Sequence, residues 1–520
     1  MVKHLIVTQK IWVQVPLRTL LVTLEFILML FWILIATLFI CLTLILISGF
    51  YSVSKKGIQS ITFFFSMFCF FLSILYLILF DRSNASYQFI STAILGSDLI
   101  PFFKHSFIFG IDGISLFFIL LSTYLIPLCL LIGWKKDFKL VSDYCFYFIL
   151  LEVFLILSFS ALDIITFFIF FESVLIPMFF IIGIWGSRQR RVRASFLFFL
   201  YTLFGSIFLF FSLLILYYDT GTTSISVLSK TFVDYDKQII IWLFLFFSFS
   251  VKIPIIPVHT WLPEAHVEAP TAGSVILAGL LLKLGGYAFL RVLLPIFSEA
   301  VLFFLPLVDT FALVSNIYGS LVSIRQVDLK RIIAYSSVAH MNLGVLGIFS
   351  GNVQGVSGAI FLMIAHGIVS SGLFFLVGVL YDKYHTRLLY YYGGLVQTMP
   401  LLSAKLLILC LANTGLPGTC NFIGELIVFV GLIDRNFLVA MISITGVILS
   451  VLYSIFFFNR LSFGNLNVNY ITVYQDITHK EMAIMTPLVT LTIFLGFAPH
   501  FVFELILPSV SLILEKTKQF

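Results

Sequence analysis

Long apolar stretches, separated by short polar connections, run along almost the whole chain. At about 1.5 Å per residue, a helix over each stretch would match a hydrocarbon core roughly 30 Å thick. The pattern predicts fourteen membrane-spanning helices, near residues 21–48, 58–80, 111–134, 141–162, 164–186, 194–218, 239–261, 271–294, 301–324, 331–350, 355–381, 395–433, 437–459 and 481–507. The twelfth stretch is too long for one straight helix, which predicts a break within it.

Composition agrees with an all-α polytopic membrane protein. Of the 520 residues, 61% are hydrophobic and 10% are charged, whereas soluble domains carry about 25% charged residues. The six cysteines lie in apolar segments without a C-x-x-C pattern, which favours small buried side chains over metal or haem ligands. The net charge of +6 is carried by membrane-flanking loops, so we expect no nucleic-acid partner and no metal site.

The basic residues alternate between the two sides of the predicted membrane. Loops after even-numbered spans carry only Arg82, Lys104, Lys230, Lys237 and Arg435, with Arg291 as a borderline sixth. Loops after odd-numbered spans carry sixteen, namely Lys55, Lys56, Lys135, Lys136, Lys139, Arg188, Arg190, Arg191, Arg193, Arg325, Lys330, Arg331, Lys383, Arg387, Arg460 and Lys480. The positive-inside rule places these loops on the cytoplasm-like side and both termini on the other.

The N-terminus carries basic residues before the first span, Lys3, Lys10 and Arg18. It has no small-residue cleavage site, so we predict no cleaved signal.

Two spans are interrupted by proline or glycine deep in the membrane. Span seven contains Lys252-Ile-Pro254-Ile-Ile-Pro257, and span twelve contains Asn413-Thr-Gly415-Leu-Pro417-Gly418. Such kinks can merely help packing. Two broken helices five spans apart, each beside a charge, are instead typical of inverted-repeat transporters.

The repeat hypothesis divides the chain into five parts. Residues 1–110 hold spans one and two, and residues 111–140 hold span three. Residues 141–294 form the first five-helix repeat and residues 301–459 the second, inverted one. Residues 481–520 hold span fourteen and the tail.

Charged side chains lie in the middle of four spans. Lys252 and Lys283 occupy consecutive spans, with Glu172 upstream and Glu425 downstream. A lysine at mid-bilayer costs about 2.5–3.5 kcal/mol on insertion scales, so such residues indicate function. Burial and a nearby carboxylate act in opposite directions on the protonation of a lysine. Lys252 could therefore load and release a proton as Glu172 moves or titrates. The alternative is a static buried ion pair, although such pairs rarely add net stability.

Further ionisable residues are weaker candidates for a proton relay. His340 and His366 lie mid-span and titrate near neutrality, but each could be a hydrogen-bonded core residue. Glu425 reads either as the exit site or as a partner for the polar backbone of the break. Glu152 is a secondary candidate for coupling to a neighbouring subunit. Asp309 reads as an interfacial cap.

The segment from His259 to Pro270 contains two histidines and two glutamates. Their spacing does not match the H-E-x-x-H metal motif, which favours a re-entrant structured loop over a metal site. The sequence also shows no nucleotide-binding loop, catalytic triad or redox-centre ligand set. We therefore expect no redox chemistry and no cofactor on this chain.

Three stretches carry a specific resemblance. They are Phe171-Glu172-Ser-Val-Leu-Ile-Pro177, the run from Lys252 to Gly285, and Ala334-Tyr-Ser-Ser-Val-Ala-His340-Met. With them the sequence resembles the subunit 4 family of mitochondrial NADH:ubiquinone oxidoreductase, respiratory complex I, from about Gly110 to Arg460. The phrase Trp185-Gly-Ser-Arg-Gln-Arg190 is most similar to plant, algal or protist members. Mild departures are Ala288, where glycine is common, and Cys420-Asn421.

The resemblance implies an antiporter-like, proton-pumping subunit of the membrane arm. Glu172 would modulate Lys252, Lys283 would relay protons along a central axis containing His340, and Glu425 would be the terminal site. NADH, FMN, iron-sulfur clusters and ubiquinone would bind other subunits. Implied partners are the other membrane-arm subunits, including sister antiporter-like subunits, and lipids such as cardiolipin, all in the mitochondrial inner membrane. The sister subunit 5 typically has lysine at the Glu425 position.

Three other functions remain open from the sequence. A subunit of a multisubunit Na⁺/H⁺ antiporter would share the same lysines. The chain could also be an inert structural spacer of the membrane arm. Quinone binding is a weaker option, because we find no aromatic-and-histidine pocket to assign to it.

Overall fold

The computed structural model of the protein describes residues 17–50, 54–93, 107–134, 140–466 and 474–518. Four basic residues used to predict the orientation lie outside these ranges, namely Lys104, Lys135, Lys136 and Lys139, as do Lys3 and Lys10 of the N-terminus.

Helices account for nearly all the regular structure. In chain order they are α1 (Leu17–Phe50), α2 (Lys55–Leu79), α3 (Gly113–Ile132), α4 (Val141–Ser160), α5 (Ile164–Ser173), α6 (Leu175–Trp185), α7 (Arg191–Thr220), α8 (Ile225–Leu228), α9 (Tyr235–Lys252), α10 (Trp261–Glu268), α11 (Thr271–Ile296), α12 (Ser298–Arg325), α13 (Leu329–Ile348), α14 (Val353–Tyr384), α15 (Leu395–Thr398), α16 (Pro400–Asn413), α17 (Cys420–Arg435), α18 (Phe437–Ser462), α19 (His479–Phe497) and α20 (His500–Lys518).

Eleven helical segments of the described chain are long and apolar enough to cross a membrane, with α5 and α6 counted as one. This confirms a polytopic helical membrane protein. Helices also cover the three other predicted spans, but α9 and α13 carry charges and the twelfth is divided. The count of fourteen therefore stays a prediction.

Prolines and glycines account for the interruptions within the predicted spans. Helix α9 ends at Lys252, two residues before Pro254, and six residues separate α16 from α17. In that second gap Gly415 and Gly418 have φ values of +72° and +92°, which favour glycine. Both breaks lie where the sequence predicted them.

Two further interruptions were not predicted. Val174 separates α5 from α6, three residues before Pro177, whose ring nitrogen cannot donate a helical hydrogen bond. The predicted span at 481–507 is divided into α19 and α20 at Ala498-Pro499.

A short hairpin adds strand structure that the sequence analysis did not predict. Strands β1 (Gln88–Ala93) and β2 (Phe107–Ile111) pair in antiparallel fashion before α3. Helix α3 then starts at a capping box, in which Asp112 accepts from the Ser115 amide and Ser115 Oγ accepts from the Asp112 amide.

Two helices form the centre of the protein. The most apolar windows of α11 and α14 are completely buried within the chain, whereas α7, α12 and α18 expose much of their apolar surface. Helix α11 also contains two π-helical turns, Leu277–Leu281 and Phe289–Leu293. The centre of the fold therefore contains Lys283 on α11 and His366 on α14.

Candidate functional site

Lys252 and Glu172 form a close pair where two helices are interrupted. The Lys252 ammonium lies 3.7 Å from Glu172 Oε1, and the two side chains are 5% and 18% exposed. Lys252 Nζ also donates to the Phe171 carbonyl at 3.3 Å and lies 4.1 Å from the centre of the Phe171 ring. A carboxylate, a carbonyl dipole and a π face thus stabilise a positive charge at this position.

Lys283 lies in the central helix α11 and is fully buried. Its ammonium lies 2.9 Å from His366 Nδ1 on α14 and also donates to the Ala278 carbonyl of the preceding π turn. Among the described residues no carboxylate lies within ion-pair distance of Lys283. Because its side-chain partner is a neutral or titratable ring instead of a fixed charge, Lys283 is suited to exchange a proton with His366. Such π turns are frequent at functional sites.

His340 connects this pair to Glu425. The ring centres of His340 and His366 are 5.8 Å apart. His340 Nδ1 lies 3.1 Å from Glu425 Oε1, and its Nε2 lies 3.1 Å from the Tyr453 hydroxyl. Both His340 and Glu425 are nearly inaccessible to solvent. Four ionisable side chains therefore follow one another in the order Lys283, His366, His340, Glu425.

Glu425 lies against the second helix break. A Cβ atom at Gly415 would approach Glu425 Oε2 to 2.7 Å, so a side chain at that position would displace the carboxylate. A small cavity of about 10 Å³ lies beside Tyr453, bounded also by Ser336 and Asn413. Its volume is close to that of one water molecule, but the surface that lines it is apolar.

The structure does not join Lys252 directly to Lys283. No hydrogen bond or ion pair among the described residues links the Glu172–Lys252 pair to the Lys283–Glu425 series. The two helices are nevertheless in close contact, since a Cβ at Gly285 would lie 3.2 Å from Lys252 Cβ. The site therefore has two parts. One is the Glu172–Lys252 pair on α5 and α9. The other is the series Lys283, His366, His340 and Glu425 on α11, α14, α13 and α17.

Glu152 occupies a separate position. It is fully buried in α4, and neither carboxylate oxygen has a hydrogen-bond partner among the described residues. It lies on the side of α4 near Cys41 and Cys69, which belong to α1 and α2. Glu152 thus takes no part in the contacts that connect Lys283 to Glu425.

Some residues assigned to loops or caps in the sequence analysis are buried in ion pairs. Arg387 is fully buried, 3.5 Å from Glu268, and donates to the Val267 carbonyl. Lys330 is also buried and donates to the Ala269 carbonyl at 2.8 Å. Some basic residues near the ends of predicted spans are therefore buried and connect helices inside the protein. Counting Lys and Arg along the sequence does not distinguish them from residues that are exposed to water.

The interpretation of Asp309 as an interfacial cap is wrong. It lies within α12, nearly buried, and both of its carboxylate oxygens accept from Arg435 Nη2 at 2.5 Å. Arg291, borderline in the sequence, is likewise buried and pairs with Asp112 at 2.7 Å. These two arginines lie at the ends of predicted spans, where sequence alone gave no partner.

The segment from His259 to Pro270, predicted as a re-entrant structured loop, contains the helix α10. Glu268 pairs with Arg387 and Glu264 with Arg331, while the His266 ring stacks on Phe374 at 4.5 Å. Its acidic residues thus serve ion pairs that hold the segment against α13 and the end of α14.

Comparison with known proteins identifies the family. A family model described as NADH:quinone oxidoreductase/Mrp antiporter, TM, matches residues 161–452. NADH-ubiquinone oxidoreductase chain 4 of Marchantia polymorpha is 48% identical over 461 residues, covering 89% of this chain and 92% of the relative. The Arabidopsis thaliana chain 4 is 48% identical over 453 residues, covering 87% of this chain and 91% of that relative.

Solved structures agree with the sequence relatives. A chain of respiratory complex I from Thermus thermophilus with bound NADH aligns with a TM-score of 0.83 at 27% identity, covering 94% of this chain and 99% of that one. The Mrp complex from Dietzia sp. shares the fold, with a TM-score of 0.78 at 19% identity over 93% of this chain and 52% of that chain. The chain therefore belongs to the NADH:quinone oxidoreductase/Mrp antiporter transmembrane family and, within it, to the chain 4 group of NADH-ubiquinone oxidoreductase.

Proposed function

We propose that this chain is a proton-translocating membrane subunit of NADH:ubiquinone oxidoreductase, in which protons move along the buried series Lys283, His366, His340 and Glu425. The chain 4 relatives are named as subunits of that enzyme. The observation that carries the proposal is the succession of ionisable side chains from Lys283 to Glu425, in which Lys283 contacts His366, His340 contacts Glu425, and the two histidine rings are 5.8 Å apart.

The Glu172–Lys252 pair would control the loading of this series. When Glu172 is charged and close, it stabilises the Lys252 ammonium; when Glu172 moves or is protonated, that stabilisation is lost. Loss of the positive charge on Lys252 would in turn change the potential at Lys283 on the adjacent helix. Glu425 would be the terminal site, and its position against the broken helix gives water a way to reach it.

The direction of transfer requires an external source of energy. Moving one charge against a membrane potential costs about 2.3 kcal/mol per 100 mV, and we assign no redox chemistry to this chain. Quinone reduction elsewhere in the complex would change the electrostatic potential along the series from Lys283 to Glu425. This change would drive protons from the matrix to the intermembrane space. Redox cofactors would bind other subunits.

The wider arrangement follows from the same proposal. We propose fourteen spans, of which spans four to eight and nine to thirteen form two inverted repeats, each with a helix broken next to a charge. The basic loops would face the matrix, in the mitochondrial inner membrane. The other membrane-arm subunits, sister antiporter-like subunits and lipids such as cardiolipin would be partners, and Glu152 would be a secondary coupling site.

Replacing Lys283 with alanine in the assembled complex tests the proposal. The variant should lose most NADH:ubiquinone turnover and proton pumping, while NADH oxidation by a water-soluble artificial acceptor stays unchanged. Lys237→Ala, at an exposed ion pair with Asp219, is the matched control and should behave like the wild type. Unchanged turnover with an unchanged proton-to-electron ratio in Lys283→Ala would refute the relay.

Transport by a multisubunit Na⁺/H⁺ antiporter is the second candidate. Its support is the shared fold with the Mrp complex, but the relatives with 48% identity are chain 4 proteins. Sodium-dependent transport without an NADH-linked partner would favour that candidate.

A further inference from the structure

A buried guanidinium lies at the end of α11 that points away from the basic loops. Arg291 follows Lys283 by eight residues, which places it about 12 Å further along the helix axis. Its side chain is 5% exposed, and its Nη2 lies 2.7 Å from Oδ1 of Asp112, whose side chain is 4% exposed. In the proposed orientation this end of α11 faces the intermembrane space. A permanent positive charge is therefore buried between Lys283 and that side of the membrane.

Further contacts fix the position of this guanidinium. Arg291 Nε donates to the Tyr287 hydroxyl at 3.2 Å, and Nη1 donates to the Tyr87 hydroxyl at 3.1 Å. The guanidinium carbon lies 5.0 Å from the centre of the Tyr87 ring and 5.4 Å from that of the Tyr287 ring. Asp112, its carboxylate partner, also caps α3. The charge is thus stabilised by an anion, two hydroxyls and two π faces, and it connects α11 to α3 and to the segment before β1.

The Tyr287 hydroxyl offers no route for protons past the guanidinium. Tyr287 lies one helical turn from Lys283 and one turn from Arg291. Its hydroxyl donates to the Phe159 carbonyl at 2.7 Å and accepts from Arg291 Nε. A backbone carbonyl has no proton to pass on, and an arginine does not lose its proton in proteins. Both hydrogen bonds of the hydroxyl therefore end at groups that carry a proton no further.

Aromatic side chains surround this turn of α11. The ring centres of Phe118, Phe159 and Phe167 lie 5.9, 5.3 and 6.3 Å from that of Tyr287. All four side chains are at most 1% exposed. In membrane pores, apolar constrictions exclude water and a fixed arginine repels protons. An apolar layer around Tyr287 and a charged layer at Arg291 therefore follow one another from Lys283 towards the intermembrane space.

We propose that Arg291 is an electrostatic barrier, which keeps protons of the intermembrane space from reaching Lys283 along α11. A proton on Lys283 would then leave only towards His366. The inference rests on the proposed relay, because the barrier protects a residue that carries a proton. Arg435 forms the comparable ion pair with Asp309 at the end of α17, but its side chain is 15% exposed, so that pair is partly accessible to solvent.

Two variants of the assembled complex that differ only at the guanidinium test the barrier. Asp112→Asn breaks the ion pair but keeps the positive charge, and asparagine still caps α3. Asp112→Asn/Arg291→Gln removes the positive charge as well, without leaving a buried carboxylate unpaired. The purified complexes are reconstituted into liposomes that contain a pH-sensitive dye. Passive proton flux is measured without NADH under a potassium diffusion potential, and it is normalised to the amount of assembled complex.

The flux should depend on the charge and not on the ion pair. We expect Asp112→Asn to be as proton-tight as the wild type. The flux through Asp112→Asn/Arg291→Gln should be at least about tenfold faster, because a unit charge about 12 Å away, at an effective dielectric constant of about 20, lowers the probability of a second positive charge about tenfold. Arg291→Lys keeps a positive charge and should conduct no faster than the wild type.

A triple variant shows whether the leak uses the proposed relay. Lys283→Ala/Asp112→Asn/Arg291→Gln should conduct as slowly as the wild type, since Lys283 is the site that the barrier protects. A leak that persists in this variant would overturn the proposal. Equal fluxes through Asp112→Asn and Asp112→Asn/Arg291→Gln, whether slow or fast, would also overturn it. Failure of the relay itself is distinguishable, because it would appear as normal turnover and pumping in Lys283→Ala, where Arg291 is intact.

Discussion

The Glu172–Lys252 pair offers the sharpest test of how the relay is controlled, through the substitution Glu172→Gln. The change removes the charge and keeps the shape of the side chain. At 3.7 Å and an effective dielectric constant of about 20, the attraction amounts to roughly 4–5 kcal/mol. We take about a third of this attraction, roughly 1.4 kcal/mol, as the part that differs between the protonated and deprotonated states of Lys252. Its loss should then slow coupled turnover about tenfold.

The assay is NADH:ubiquinone turnover together with proton uptake by vesicles that contain the assembled complex. Glu264→Gln is the matched control, because Glu264 forms an ion pair with Arg331 in which both side chains are more than a third exposed. Such exposed pairs contribute only about 0–1 kcal/mol, so this variant should retain normal coupling.

Lys252→Arg distinguishes a relay from a static ion pair. Arginine keeps the positive charge near Glu172 but does not lose its proton in proteins. A relay predicts that Lys252→Arg pumps as poorly as Lys252→Ala, in complexes that assemble to the same level. If Lys252→Arg pumps normally, or if Glu172→Gln retains full turnover and pumping, the electrostatic control described here is refuted.

Two further substitutions address the neighbouring contacts. Asp309→Asn leaves the partly buried Arg435 without its counter-charge and should destabilise the complex by about 2–3 kcal/mol, measured as a lower thermal transition and lower assembled yield. If its stability equals that of the wild type, the ion pair has no structural role. Tyr453→Phe removes the hydroxyl at His340 and should slow coupled turnover a few-fold without loss of assembly. The exposed Tyr318→Phe should not slow it, and equal rates in both variants would contradict a role for the Tyr453 hydroxyl.

The sequence was sufficient to predict the helices, the helix breaks and the buried charges, because each of these follows from the apolar environment of the membrane. Long apolar runs indicated the helices, and proline with glycine indicated the breaks at 252–257 and 413–418. The cost of a buried charge then singled out Lys252, Lys283, Glu172 and Glu425, because a membrane offers no water to solvate such residues.

Contacts between distant helices could not be predicted in the same way. Lys283 and His366 are 83 residues apart in the chain, and no local pattern encodes their hydrogen bond. The burial of Arg387 was missed for the same reason, since its partner Glu268 lies on another element. The hairpin β1–β2 was missed because pairing strands are short and their pattern is weak beside the apolar helices.

The complete enclosure of α14 has a consequence for how the protein is made. Helix α14 packs against α16, α17, α19 and α20, all of which follow it in the chain. During synthesis from the N-terminus, α14 therefore leaves the insertion machinery before these partners exist, and the faces of α14 that they cover are still open. A newly made chain that stalls before α16 would present its most central helix to lipid or to assembly factors. Premature termination should thus yield products that are removed quickly, even when every residue of the Lys283–His366 pair has been made.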